Sequence, residues 1–219
     1  MAAPKLPNDS QRLAIVGRTG SGKTYAAAWH LSGRSWTKRP WIVFDFKGDS
    51  LLSEIPRAEE ISITDNIPKH KGVYIVRPLP NQEEAVDGFL WKLWAAENAG
   101  VYVDEGYMIG ARSAPFNAIL TQGRSKNIPL IVLSQRPVWM SRFVWSEADF
   151  YQVFHLNNRE DNKVIEKFCP VDLSQRLPPY HSHYYDVSAD NHVLLGPVPN
   201  KNKILNIFDM RSSTRRKIL

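Results

Sequence analysis

An α/β domain with a mainly parallel central sheet flanked by helices is the fold this 219-residue sequence predicts. Three observations predict it. Short apolar runs rich in β-branched residues alternate with longer amphipathic stretches, as strands alternate with helices in a βαβ chain. A glycine-rich turn joins the first such run to the first helix-prone stretch. The composition, 43% hydrophobic and 23% charged, suits one sizeable core, and the length allows one domain with a short appendage.

The runs that read as strands are residues 13–16, 41–46, 73–76, 101–103, 130–133 and 151–156. Each is bounded by Gly, Pro, Asn or Asp, which interrupt regular structure through their backbone restrictions. Between them, 23–31 is alanine-rich and helix-prone, and 82–98 places Val86, Leu90, Leu93 and Trp94 along one helical face. Residues 158–168 begin at Asn158, a capping residue type, and turn Val164, Ile165 and Phe168 inward. Beyond Pro178-Pro179, two short strand-like pieces, 183–187 and 192–195, precede a basic end. The expected organisation is an N-terminal segment over 1–12, a core over 13–177, and C-terminal strands with a basic tail over 178–219.

Lys and Arg number 28 against 22 Asp and Glu, a net charge of +6. Most of that excess is local: from Asn191 onward, Lys201, Lys203, Arg211, Arg215, Arg216 and Lys217 face only Asp209. Such a tail either attracts phosphate backbones or stays solvated, and both readings remain open. The lone Cys169 cannot form an internal disulfide, which points to a reducing cytoplasm. The N-terminus has no apolar leader, and the longest aliphatic run, 130–133, falls far short of the ~20 residues of a membrane span. No span is expected.

Gly17-Arg18-Thr19-Gly20-Ser21-Gly22-Lys23-Thr24 matches G-x-x-x-x-G-K-[ST] and lies where its chemistry needs it, after a strand and before a helix. The glycines let backbone N–H groups converge on a β-phosphate, and the helix start adds partial positive charge. Lys23 reaches the β/γ oxygens and the Thr24 hydroxyl can ligate magnesium, so ATP with Mg2+ is the expected ligand pair. Arg18, Thr19 and Ser21 complete the loop.

The strand at 101–103 ends in Asp104-Glu105, and strand ends are where α/β sheets present chemistry. Asp104 suits a magnesium ion bridging two phosphates, and Glu105 suits orienting or deprotonating water. A second strand ends in Asp45-Phe46-Lys47 without an adjacent Glu, so the Asp104-Glu105 pair is preferred and favours hydrolysis. The strand at 130–133 leads to Gln135, placed to hydrogen-bond a γ-phosphate or the lytic water. Gly123-Arg124 follows an amphipathic stretch, which puts Arg124 near the surface, either solvated or entering a neighbouring subunit's site as a transition-state cation.

Together the phosphate loop, Asp45-Phe46-Lys47-Gly48-Asp49, Asp104-Glu105, Gly123-Arg124 and Leu133-Ser134-Gln135-Arg136-Pro137 resemble the FtsK/HerA superfamily of DNA-pumping ATPases over about residues 13–168. The small size resembles its genome-packaging members from tailless, membrane-containing icosahedral double-stranded DNA viruses. The resemblance implies a RecA/ASCE-like P-loop NTPase fold and an Mg-dependent ATPase moving viral double-stranded DNA into a preformed capsid. It further implies a ring, usually of six subunits, with capsid vertex proteins as partners, and a location in the host cytoplasm and at the packaging vertex of the virion. By the same likeness Lys23 and Thr24 bind phosphate and magnesium, Asp104 holds the metal, Glu105 is the base, Gln135 senses the γ-phosphate and Arg124 is the finger offered to a neighbour. Phe46 stands where the family commonly has proline, so Asp45 and Lys47 receive no catalytic part.

Pumping DNA needs cations on the segments leaving the catalytic strands. Arg112, Arg136 and Arg142 are the candidates, interleaved with Trp139 and Trp145, for which burial in the core is the preferred reading. His181, His183, His192 and Cys169 have loose spacing for a zinc site and read as ordinary strand or surface residues. Two other functions remain open: a nucleoside or nucleotide kinase using the same loop, and an ATP-binding phage assembly or export factor that moves no DNA.

Overall fold

The apolar runs form a nine-stranded sheet in the computed structural model of the chain, which describes residues 4–213. The strands are β1 (Arg12–Val16), β2 (Pro40–Phe44), β3 (Glu59–Glu60), β4 (Gly72–Val76), β5 (Gly100–Val103), β6 (Leu130–Ser134), β7 (Phe150–Val153), β8 (Ser182–Asp186) and β9 (Asn191–Leu195). Their order across the sheet is β3-β4-β2-β5-β6-β1-β7-β8-β9. The run from β3 to β7 is parallel, and β8 and β9 add on antiparallel. The six predicted strands are all present. Those expected to reach residues 46 and 156 stop at Phe44 and Val153, because the residues beyond leave the sheet edge as loops.

β1, β2, β5, β6 and β7 are buried along their whole length, the pattern of strands covered on both faces. Alternate side chains divide between two cores: Leu13 and Ile15 join one, Ala14 and Val16 the other. The first core lies under α1 (Lys23–Gly33), α2 (Ser50–Ser53) and α7 (Lys201–Ser213). The second lies under α3 (Glu83–Ala96), α4 (Ala114–Gln122), α5 (Arg142–Ser146) and α6 (Arg159–Ile165). Ala26, Ala27 and Ala28 let α1 approach the sheet closely, and the Asn158 side chain caps α6 by accepting from the Glu160 amide at 2.8 Å.

The basic end contains a helix that the sequence reading did not foresee. Ile204 and Phe208, one turn apart, are fully buried, and the Phe208 ring packs 5.4 Å from Trp36. The Asn200 side chain caps α7 by accepting from the Lys203 amide at 3.1 Å, and Lys201 pairs with Glu54 at 2.7 Å. Arg211 donates to the Ser32 carbonyl at the end of α1. Lys201 and Arg211 therefore fasten α7 to the core, while Arg215, Arg216 and Lys217 lie outside the described residues. Among the described residues, no helix is long and apolar enough to cross a membrane.

A buried polar chain joins α1 to the sheet. His30 Nε2 lies 2.9 Å from Gln152 Oε1, and Gln152 Nε2 donates to Ser182 Oγ at 2.9 Å. Burial, with the charge of Arg34 nearby, pushes the His30 imidazole down to about 3, against the favourable bond to Gln152. Because the unfolded chain takes up this proton near the ordinary histidine value, His30 contributes stability that is present above about pH 6.5 and is lost as pH falls from there toward 3. Urea unfolding at several pH values checks this: the wild-type chain should lose about 1.4 kcal/mol per pH unit from this group below pH 6. His30→Gln should flatten that slope, and an unchanged slope contradicts the assignment.

Candidate active site

A parallel sheet brings all its strand carboxyl ends to one edge, and here β2, β5, β6 and β1 are neighbours in that order. Four loops therefore meet: the Asp45–Lys47 step, the Asp104-Glu105 pair, Gln135 and the phosphate loop. Backbone bonds fix their relative heights. Gly17 N donates to Ser134 O at 3.3 Å, and Asp104 N donates to Phe44 O at 2.9 Å.

The loop after β1 curls as the sequence predicts. Gly20 and Gly22 have φ of 76° and 99°, values that disfavour any side chain. Lys23 is buried and its Nζ donates to Arg18 O at 3.1 Å across the loop. Burial lowers the Lys23 ammonium, with the charge of Glu105 opposing that shift. The loop, Lys23 and Thr24 line a cavity of about 680 Å³, which Lys47, Asp49 and Glu105 also line. That size is within the range of small-molecule sites.

Asp104 and Glu105 are both buried. Burial, then the charge of Glu105, raises the Asp104 carboxyl to about 7, with Lys47 opposing. Two adjacent buried carboxylates cannot both ionise comfortably without a cation beside them. Hard oxygen donors from Asp104 and Thr24 fit magnesium, and the buried Glu105 Oε2 and Ser21 Oγ have no protein partner. The residues thus fit a metal–triphosphate. Glu105 has φ of 53° and ψ of 60°, the left-handed region that a non-glycine side chain rarely adopts.

Gln135 is brought to the phosphate loop: Thr19 Oγ1 donates to its Oε1, and its Nε2 donates to Tyr107 OH at 3.3 Å. Asp45 is structural, its carboxylate accepting from the Asp49 amide at 3.0 Å and from Arg77 Nε at 3.0 Å. Lys47 is part of the site, which the sequence reading did not assign. Its Nζ donates to Glu105 Oε1. Burial would lower the Lys47 ammonium, but the bond and charge of Glu105 raise it overall. Its signal in sequence was position alone, three residues past the end of β2, the strand that neighbours β5. Tyr107 carried no signal, because its bond to Gln135 depends on β5 and β6 being adjacent.

Arg124 stands apart. It is exposed and pairs with Asp149, whose other oxygen accepts from the Arg12 amide at 2.8 Å, at the amino ends of β1 and β7. Five strand residues at roughly 3.3 Å each separate that edge from the phosphate loop. Arg136 pairs with buried Asp161 at 3.1 Å and stacks over Trp139 at 4.1 Å. Arg112 is exposed on the loop after β5, and Arg142 is exposed at the first position of α5, which follows β6. The two tryptophans divide: Trp145 is buried as expected, whereas Trp139 is 53% exposed, packed edge-on against Tyr107. His183 bonds His192 at 2.8 Å across β8 and β9, and Cys169 is buried.

No protein-family model matches the chain. It is 44% identical over 225 residues to the DNA packaging ATPase P9 of Enterobacteria phage PRD1, covering 98% of this chain and 99% of that protein. The fold is similar to the genome packaging NTPase B204 of Sulfolobus turreted icosahedral virus 2 in complex with ATP-gammaS, at a TM-score of 0.70 and 19% identity over 88% of this chain and 100% of that one. It is also similar to VirB4 of Thermoanaerobacter pseudethanolicus, at a TM-score of 0.69 and 9% identity over 88% and 90% of the two chains. These two likenesses show a P-loop ATPase fold. With near-full-length identity to P9 beside them, the chain belongs to the FtsK/HerA-like packaging ATPases of membrane-containing phages, the family of P9.

Proposed function

We propose that this chain is an Mg-dependent ATPase that drives viral double-stranded DNA into a preformed capsid. The observation that carries the reading is 44% identity over nearly the whole chain to a protein named as a DNA packaging ATPase. Family membership sets aside the small-molecule kinase and the non-translocating export factor. The site supports hydrolysis because Glu105 offers a carboxylate oxygen, Oε2, that no protein group occupies.

In this mechanism Lys23 leaves the Arg18 carbonyl for the phosphates, and the loop amides hold the triphosphate. Thr24 and Asp104 would hold a magnesium ion, which would supply positive charge to the phosphates. Lys47 fixes one oxygen of Glu105, and the other accepts the proton as water attacks the γ-phosphorus and ADP departs with the bridging oxygen. Thr19 and Tyr107 orient the Gln135 amide toward the terminal phosphate.

Arg124 faces away from its own phosphate loop. A head-to-tail ring, whose interface joins unlike faces, is the arrangement that delivers such a residue to a neighbour's site. A hexamer around duplex DNA, docked on capsid vertex proteins in the host cytoplasm and carried at the packaging vertex, is the assembly we infer. Arg112 and Arg142 contact the DNA backbone, and Arg136, neutralised by Asp161, positions the Trp139 loop beside them.

ATPase assays with long duplex DNA, beside the native mass, test the motor: stimulation and a ring mass are expected, and a DNA-indifferent monomer contradicts it. Lys23→Ala should abolish turnover. Glu105→Gln should keep nucleotide binding while turnover falls by about 10²-fold or more, and loss of binding would make Glu105 structural. Mixing inactive Arg124→Ala with inactive Lys23→Ala subunits should restore activity, because mixed interfaces unite an intact finger with an intact loop. No recovery in demonstrably mixed rings contradicts action across the interface.

A further inference from the structure

The cavity that begins at the phosphate loop does not end there. Its far wall comes from the C-terminal part of the chain: Tyr180, and the strap Pro197-Val198-Pro199-Asn200 between β9 and α7. Tyr180 lies directly against the loop, so that a Cβ on Gly22 would come within 3.2 Å of its ring. Tyr180 is 58% exposed. The strap is held in place: Val198 packs on the core beneath α1, and the buried Ile204 and Phe208 anchor the helix that follows.

The chemistry of this wall is that of a base site. Tyr180 offers an aromatic face for a planar ring, and Pro197, Val198 and Pro199 offer an apolar one. Prolines have no N–H, so the strap presents carbonyl acceptors with one backbone donor among its first three residues. Such an edge suits a base carrying an exocyclic amino group better than one carrying a carbonyl oxygen there. Asn200 uses its Oδ1 to cap α7, which leaves its amide N–H groups to donate to a ring nitrogen.

Resting on the ATPase reading, we propose that Tyr180 and the Pro197–Asn200 strap form the base-binding half of the nucleotide site and select adenine over guanine. The C-terminal strands and helix then complete the active site, with α7 serving to hold the strap over the phosphate loop.

Binding measurements on the full chain with Mg2+ separate this inference from the phosphate-site reading. The probes are ATP, GTP and inorganic tripolyphosphate, which has phosphates but no base. The wild-type chain should bind ATP tighter than GTP and tighter than tripolyphosphate, each by roughly tenfold or more, the effect expected of one stacked base. Tyr180→Ala should weaken ATP by about tenfold and leave tripolyphosphate within about twofold. Asn200→Asp keeps the capping oxygen while removing the donor, so it should weaken ATP selectively without lowering the unfolding temperature. Equal wild-type affinity for ATP and tripolyphosphate overturns the base site while leaving the phosphate site intact, as do unchanged ATP affinities in both variants. Failure of both ligands to bind overturns the phosphate-site reading and this inference with it.

Discussion

The candidate site depends on the parallel alignment of β2, β5, β6 and β1. Parallel strands deliver all their carboxyl ends to one edge, so residues that are more than a hundred positions apart in sequence become neighbours without any loop having to search for them. The insertion of β6 between β5 and β1 is the consequential detail. It places Gln135 between the acidic pair and the phosphate loop, in hydrogen-bond contact with Thr19 on one side and Tyr107 on the other. In the proposed reaction, a terminal phosphate at this edge would compete with Thr19 and Tyr107 for the Gln135 amide.

The same edge concentrates charge. Asp104 and Glu105 are buried next to each other, and the Asp104 carboxyl is pushed up to about 7 by burial and by its neighbour. Lys47 offsets part of this through its bond to Glu105, and it does so from β2, the far side of the acidic strand. The strained left-handed backbone at Glu105 belongs with that arrangement, because it directs the side chain toward Lys47 and the cavity. Favourable packing on both sheet faces offsets the strain: β5 is buried along its whole length.

Legibility in the sequence followed the range of the interactions. The phosphate loop was readable because its motif is local, with glycines, lysine and threonine inside eight consecutive residues. Asp104, Glu105 and Gln135 were readable as strand ends, since short β-branched runs mark where the sheet stops. Lys47 and Tyr107 were not, because their roles come from which strands are neighbours, a fact that no spacing encodes. The C-terminal helix was missed for a different reason: only Ile204 and Phe208 among its thirteen residues are fully buried, so its periodic signal is submerged in polar residues. Trp139 was expected in the core on average behaviour, and its exposure reflects a specific contact with Tyr107 and Arg136 that averages do not describe.

In the proposed reaction the loop at the end of β1 holds a triphosphate whose terminal bond faces Glu105. A crystal structure of the chain with magnesium and a non-cleavable ATP analogue tests it most directly. The triphosphate should be cradled by residues 17–24, with Glu105 Oε2 in hydrogen-bond reach of a water in line with the γ-phosphorus. An empty loop at saturating analogue, or a filled loop with the Glu105 carboxylate turned away from the terminal phosphate, would contradict it.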